Sequence, residues 1–205
     1  MKFYNSIGPN PRVVKMFMAE KGVEVPREEI NLMAGENRQQ PYLSVNPAGQ
    51  MPALEMDCGT VLTEITAICE YLDELYPAPP LIGTTPKERA ETRMWTRRID
   101  LNIVEPLLNG FRYSQGLALF QSRMRCIPQA ADDLKAIAKE KLAWLDGLVG
   151  GREWIAGDRF NLADILLFCT VDFGAQVGQP LDREAANLNA WFERTKARPS
   201  AAASA

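Results

Sequence analysis

Residues 50–72 read QMPALEMDCGTVLTEITAICEYL, and this stretch predicts the architecture of the first third of the chain. MPALEM and TVLTE are short strand patterns, and Asp57-Cys58-Gly59 between them is a tight hairpin turn with glycine where a positive φ is expected. ITAICEYLDELY then has the apolar spacing of an amphipathic helix. The stretch therefore predicts strand, turn, strand and helix, with Glu64 at the mouth of that helix.

The residues before this stretch predict a second part of the same sheet. KFYNS is a short strand pattern, and PRVVKMFMAEKG is a helix pattern with Asn10 as its cap, Pro11 in its first turn and Gly22 at its end. VEVPREEINL is a further strand, and Pro26 favours an edge position for it. The order β-α-β followed by β-β-α predicts a small mixed α/β domain over residues 1–76.

The remainder of the chain has helical patterns only. A proline-rich linker over 77–86, PAPPLIGTTP, leads into an all-helical domain over 87–205. Pro106 lies in an apolar stripe that repeats every four residues, and it should kink or break that helix. Asn161 and Asp164 have the spacing of a capping box before a nearly all-apolar helix. The terminal SAAASA is expected to fray.

Composition excludes several classes of function. The 205 residues carry a formal net charge of -3 and no histidine, which removes histidine-based catalysis and histidine-ligated metals. No basic stripe favours a nucleic-acid partner, and no apolar run is long enough to span a membrane. Four cysteines without a C-x-x-C pair indicate reduced structural thiols and predict a cytoplasmic protein without a bound metal.

Three motifs in this order resemble the glutathione transferase family: NPAGQMPAL, LTEITAICEYL and AGDRFNLADI. PNPRVV, EITAI and FRYS are similar to the branch of bacterial and fungal enzymes around the second yeast glutathione transferase. The resemblance extends over nearly the whole chain. It implies a thioredoxin-like α/β N-terminal domain joined to an all-α C-terminal domain.

The resemblance also implies a site for glutathione as co-substrate. Pro52 would follow a cis peptide bond, leaving the amide and carbonyl of Met51 free to pair with the extended tripeptide. Glu64 would accept from the γ-glutamyl ammonium. The helix start at Ile65 and Thr66 would bind the γ-glutamyl carboxylate, since orphan N–H groups favour an anion there. Relatives commonly have serine where this chain has Ile65.

The glycyl end of glutathione needs donors of its own. Relatives often place His-Lys in the loop where this chain has GENRQQ. Asn37 and Arg38 would therefore take the glycyl carboxylate, Arg38 through its two-pronged guanidinium. Gln50 would add a contact beside Met51.

The resemblance does not identify which group activates the thiol. The usual serine position holds Gly8, and the nearby candidates are Tyr4, Ser6 and Asn10, of which Asn10 is also the expected helix cap. Relatives of the yeast type act from the helical domain instead, which points to Arg112 as a cation that stabilises a thiolate. The histidine used there by the yeast relative is missing from this chain.

An electrophile pocket is expected beside that arginine, at Phe111, Tyr113 and Ser114. The implied reaction is attack of glutathione thiolate on a small hydrophobic electrophile, in a detoxifying homodimer. The alternatives are a non-catalytic interaction module with the same fold and a glutathione-dependent peroxidase. Reductive deglutathionylation normally uses a cysteine near the first helix, which this chain lacks.

Overall fold

The computed structural model describes all 205 residues and divides into two compact units. The first comprises Met1–Leu81 together with Pro199–Ala205, and the second comprises Ile82–Arg198. The first unit is an α/β structure, and the second is helical. The expected fold class, a thioredoxin-like α/β domain joined to an all-α domain, is confirmed.

The first unit is built on a four-stranded sheet in the order β2-β1-β3-β4. The strands are β1 (Lys2–Asn5), β2 (Arg27–Glu29), β3 (Ala53–Glu55) and β4 (Val61–Leu62). The first two strands are parallel because a helix connects them, and the remaining pairs are antiparallel. Three residue pairs fix the register: Tyr4 with Glu28, Tyr4 with Ala53, and Leu54 with Leu62. The predicted edge position of β2 is confirmed.

Four helices belong to this unit, and two of them begin where strands end. They are α1 (Pro9–Lys21), α2 (Tyr42–Val45), α3 (Ile65–Leu75) and α10 (Pro199–Ala203), with a 3-10 turn at Glu36–Arg38. The first of these starts four residues after β1, and α3 starts three residues after β4. Their N-termini therefore lie at the strand ends that bound the candidate site.

The start of α1 differs from the sequence prediction. Gly8 is the N-cap residue with φ of 113°, and the Asn10 side chain makes no capping hydrogen bond. Asn10 is instead the second helical residue, between Pro9 and Pro11. Glycine tolerates the positive φ of this turn, and the ring of Pro9 presets the first helical φ, so no capping side chain is needed. The predicted end at Gly22 is confirmed, with Gly22 in the left-handed conformation.

The end of the chain is also more ordered than its composition predicts. Ser200, Ala201 and Ser204 are buried, and α10 packs on α1. Arg12 donates to the carbonyl of Ala201 at 3.4 Å, and Ser200 donates to Glu20. The expectation of a frayed tail was wrong because these small residues allow close packing against α1.

The second unit contains six helices. They are α4 (Pro86–Ile99), α5 (Glu105–Arg112), α6 (Leu117–Phe120), α7 (Ala131–Val149), α8 (Leu162–Gln176) and α9 (Ala186–Lys196). A 3-10 turn at Pro128–Ala130 precedes α7. None of the helices of the chain is both long enough and apolar enough to cross a bilayer.

Two predicted features of this unit are present. Asp100–Val104 forms a π-helical turn just before Pro106, which absorbs the missing N–H of the proline. The capping box is complete: Asn161 accepts from Ala163 at 2.9 Å, and Asp164 accepts from the Asn161 amide at 3.0 Å.

All four cysteines are free thiols, and only Cys58 is exposed.

Candidate functional site

The end of β1, the beginning of β3 and the end of β4 meet at one end of the sheet, which forms the edge of the candidate site. Tyr4 pairs with Ala53, so continuing that register places Ser6 at the level of Met51. Leu54 pairs with Leu62, and the same continuation places Glu64 at the level of Pro52. The end of β1, the beginning of β3 and the beginning of α3 therefore lie together in the first unit.

Met51 lies at this edge, and its backbone amide and carbonyl are not paired within the sheet. The Met51-Pro52 peptide bond is cis, as expected from the resemblance. Pairing within the sheet begins at Ala53, so the amide and carbonyl of Met51 take no part in it. The Met51 side chain packs against the buried cluster that contains Tyr4 and Tyr42. The side chain thus anchors a residue whose backbone polar groups remain available.

The loop before Met51 is fixed by hydrogen bonds to consecutive carbonyl groups. The Ala48 carbonyl accepts from Arg38 Nη1 at 3.1 Å, and the Gly49 carbonyl accepts from Asn37 Nδ2 at 2.7 Å. A Cβ at Gly49 would lie 2.8 Å from the Asn37 carbonyl oxygen, and its φ is +61°, so only glycine fits. Asn37 and Arg38 thereby support the loop.

The next carbonyl, that of Gln50, accepts two hydrogen bonds. The Tyr42 hydroxyl donates at 2.6 Å, and Asn46 Nδ2 donates at 2.9 Å. Sequence reasoning missed both donors, because the spacing between α2 and the loop gives no motif. The NPAGQ sequence could have indicated one of these donors, because its asparagine is Asn46.

Of the residues expected to hold the glycyl carboxylate, Arg38 and Gln50 keep unused groups. Arg38 is half-exposed, and only one of its terminal nitrogens donates to the loop. The Gln50 side chain is exposed. The Asn37 side chain is 3% exposed and its nitrogen is used by Gly49, so it is a supporting residue and not a ligand in this geometry.

Glu64 is the one non-glycine residue of the chain with a positive φ. Its φ is 65° and its ψ 120°, a strained conformation for a side chain with a Cβ. The side chain is exposed, and it makes no hydrogen bond or ion pair. Strain at a residue with a free carboxylate is typical of a functional position.

The start of α3, directly after Glu64, has no side-chain cap. The first N–H groups of a helix have no partner inside the helix, and here Ile65 and Thr66 supply them. Both residues are half-buried in the first turn. The helix dipole adds a partial positive charge, so this end of α3 favours an anion.

The start of α1 offers one set of donors near the same edge. Pro9 and Pro11 have no N–H, so among the first three helical residues only Asn10 has a backbone donor. The Asn10 side chain is half-buried and makes no hydrogen bond. Both its backbone and its side-chain N–H groups are available.

Ser6 and Tyr4 have other partners. Ser6 is 5% exposed, and its hydroxyl donates to the Ile30 carbonyl at 2.7 Å. Tyr4 is 4% exposed, and its hydroxyl donates to Glu55 at 2.7 Å. Because each hydroxyl has a single proton, neither can also donate to a thiolate. The expectation that Ser6 activates the thiol disagrees with this geometry.

The four residues expected from the helical unit lie at the end of α5 and just after it. Arg112 donates to Asn109 at 2.9 Å, and its guanidinium lies 5.7 Å from the centroid of the Phe120 ring. Burial lowers the pKa of this guanidinium. Phe111 packs edge-to-face on Phe173, with centroids 5.0 Å apart. Tyr113 is half-buried with no hydrogen bond at its hydroxyl, and Ser114 donates to the Gly110 carbonyl.

Comparison with known proteins identifies the family of the chain. Residues 1–74 match the family model for the glutathione S-transferase N-terminal domain, and residues 122–199 match that for the C-terminal domain. Glutathione S-transferase 2 of Saccharomyces cerevisiae is 34% identical over 200 residues, which cover 94% of this chain and 84% of that protein. Maleylacetoacetate isomerase of Pseudomonas aeruginosa is 33% identical over 171 residues, covering 82% and 78%.

Among solved structures, that of Gtt2 from Saccharomyces cerevisiae matches with a TM-score of 0.93 and 31% identity, over the whole of both chains. The expected similarity to the second yeast enzyme is confirmed. The chain belongs to the glutathione S-transferase family.

Proposed function

We propose that this protein binds glutathione at the edge formed by Met51, Pro52 and Glu64 and conjugates glutathione, through its thiolate sulfur, to small hydrophobic electrophiles. The single observation that supports this most strongly is Glu64: a free carboxylate, held in a strained conformation, at the uncapped start of α3. Folding alone would favour glycine at this φ, so the side chain has a use beyond folding.

The γ-glutamyl group of glutathione fits this pair of features. Its ammonium would donate to Glu64, and its carboxylate would accept from the N–H groups of Ile65 and Thr66. The Thr66 hydroxyl supplies a further donor in the same turn. Both charges of the zwitterionic γ-glutamyl group would thus have a partner at the start of α3.

The middle of the tripeptide would pair with Met51. An extended peptide can pair with free main-chain groups in the manner of an added strand, and the amide and carbonyl of Met51, which precedes the paired part of β3, are free for this. The glycyl carboxylate would then reach Arg38 and Gln50, which keep unused donors.

Asn10 is the donor we assign to the thiol. A thiol has an unperturbed pKa of about 8.5, and a helix N-terminus with nearby N–H donors lowers it. Asn10 supplies a backbone and a side-chain donor at the start of α1. The thiolate sulfur would form a bond to the electrophilic carbon, and a leaving group such as chloride would depart with its bonding electrons.

Titration calorimetry with millimolar glutathione tests the binding step. Wild-type protein should bind, and Glu64→Gln should bind about tenfold more weakly or worse, because a charge-assisted contact is lost. Absence of heat with wild type, together with no retention on glutathione-agarose, would falsify the proposal. Binding without turnover of an activated aryl halide, an epoxide or an enone would instead indicate the non-catalytic module.

A further inference from the structure

The segment from Pro106 to Ala131 in the helical unit has a net positive charge. It contains three arginines (112, 123 and 125) and no aspartate or glutamate, in a chain whose net charge is -3. The segment includes most of α5, all of α6 and the turn before α7. Its positive charges are therefore not neutralised from within it.

Arg112 has no carboxylate among its hydrogen-bond partners. Its one hydrogen bond goes to the side-chain oxygen of Asn109, at 2.9 Å. The amide nitrogen of Asn109 in turn donates to Glu105 at 3.1 Å, so a neutral amide separates the cation from its nearest carboxylate. The other ionisable neighbours are a tyrosine and a cysteine, Tyr113 and Cys126.

A cation withdrawn from water normally has an anionic partner. Arg112 is half-buried, and this burial lowers the pKa of its guanidinium. Arg112 makes no ion pair with any side chain of the chain. The charge is therefore positioned to receive an anion from outside the protein.

The surroundings of Arg112 are aromatic. Phe111 packs edge-to-face on Phe120 and on Phe173, with centroids 6.0 and 5.0 Å away. The Arg112 guanidinium lies 5.7 Å from the Phe120 centroid, and that of Arg123 lies 5.9 Å from the same ring. The ring of Phe120 therefore has two guanidinium groups within 6 Å of its centroid.

We propose that Arg112 and the Phe111–Phe120–Phe173 cluster form a subsite for an aromatic ligand that carries a carboxylate. The guanidinium would bind the carboxylate in a bidentate pair, and the phenylalanine edges would contact the ligand ring. The free Tyr113 hydroxyl is a further donor beside the arginine.

As a statement about the second substrate of the enzyme, this inference rests on the proposed function. It makes the electrophile an anionic aromatic compound instead of a neutral one. With 4-chloro-3-nitrobenzoate as the probe, the glutathione sulfur would bond to C4, chloride would leave with the bonding electrons, and the carboxylate would remain unchanged. Arg112 then binds the second substrate and has no role at the thiol.

Binding of two nearly isosteric probes, 4-chloro-3-nitrobenzoate and 4-chloro-3-nitrobenzamide, tests the subsite without glutathione. Wild-type protein should bind the benzoate about tenfold more tightly than the benzamide, since only the anion forms the charge-assisted pair. Equal affinities in wild type would overturn the proposal, and this measurement needs no variant.

Arg112→Gln should remove the preference for the benzoate. Arg112→Lys should retain part of it, because lysine keeps the positive charge but cannot form the bidentate pair. The matched control is Arg97→Gln, since Arg97 is an exposed arginine that pairs with Asp100 at 2.9 Å. A preference that survives Arg112→Gln with native circular dichroism would also overturn the subsite.

With glutathione present, Arg112→Gln should raise KM for the benzoate and leave kcat and the pKa of the bound thiol unchanged. A wild-type protein that prefers the benzoate but fails to bind glutathione would keep the subsite and reject the transferase. Glutathione binding with no preference between the two probes would keep the transferase proposal and reject the subsite.

Discussion

The hydroxyl of Tyr42 donates a 2.6 Å hydrogen bond to the carbonyl oxygen of Gln50, one residue before Met51. Tyr42 is 2% exposed, and burial raises the pKa of its phenol to about 12, so the donor keeps its proton at physiological pH. A buried residue on α2 thereby fixes the loop whose next backbone groups are proposed to pair with glutathione.

Tyr42→Phe should loosen that loop. The Gln50 carbonyl would keep only its 2.9 Å bond from Asn46. We expect a loss of about 1 kcal/mol in the free energy of unfolding and a severalfold rise in the Kd for glutathione. Urea unfolding and calorimetry measure these. Tyr76→Phe, at an exposed tyrosine, is the control, and equal effects of the two changes would contradict the role of Tyr42.

Glu64→Gly should separate stability from binding. Glycine adopts the φ of 65° without strain, so we expect the free energy of unfolding to rise by about 1 kcal/mol while glutathione binding is lost. Glu64→Gln retains the strain and loses only the charge, so it should weaken binding with little change in stability. If both variants bind as wild type does, Glu64 is not a ligand.

Asn10→Ala should raise the pKa of bound glutathione thiol, because a donor at the start of α1 is lost. The thiolate absorbance of the complex as a function of pH measures this. Ser6→Ala is the comparison: the Ile30 carbonyl loses its 2.7 Å partner, so stability should fall by about 1 kcal/mol with no shift in thiol pKa. The opposite pattern would exchange the roles of the two residues.

Lys21→Met should destabilise the protein strongly. Lys21 and Asp73 form an ion pair with side chains only 1% and 5% exposed, and Lys21 also donates to the carbonyls of Tyr76 and Pro79. Removing one member leaves a buried charge uncompensated, which costs about 3–5 kcal/mol. Lys87→Met removes an exposed pair with Glu91 and should cost less than about 0.5 kcal/mol in the same urea titration.

Asp164 should make stability depend on pH. Burial raises its pKa from 3.8 to about 6, although the Ile155 amide, the Asn161 amide and the Trp191 indole all donate to it. Between these values the folded state binds more protons than the unfolded state, so this contribution to stability increases as pH falls from 7 towards 4.

The asparagine side chain of the Asp164→Asn variant has no group that titrates in that range. Wild type should therefore gain about 1 kcal/mol over Asp164→Asn between pH 7 and pH 5 in the free energy of unfolding. A difference that stays constant with pH would show that Asp164 of the folded protein does not take up a proton between pH 7 and pH 5.

Local chemistry made much of the fold predictable. Gly59 closes the hairpin with a positive φ, Gly22 ends α1 in the left-handed conformation, and the Asn161–Asp164 capping box starts α8. Each depends on residues a few positions apart, so the pattern along the chain contains the information. The start of α1 was harder, because asparagine and glycine are both common caps and Gly8 took that position in place of Asn10.

Contacts between distant segments could not be predicted in this way. Tyr42 with Gln50, Ser6 with Ile30, and Arg12 with Ala201 each join segments whose pairing depends on how the unit packs. The buried position of α10 has the same origin, since an alanine-rich end has no motif that marks it for packing.

The residue pattern predicted the strands and the principal helices, and it placed an acidic residue before α3, because these depend on local backbone preferences. The cis Met51-Pro52 bond was implied by the family resemblance. Which polar groups remain free depends on the packing of distant segments and could be seen only in the folded chain. A hydroxyl or amide can donate a given proton once, and whether Ser6, Asn37 or Asn10 has already done so depends on the neighbours that packing brings.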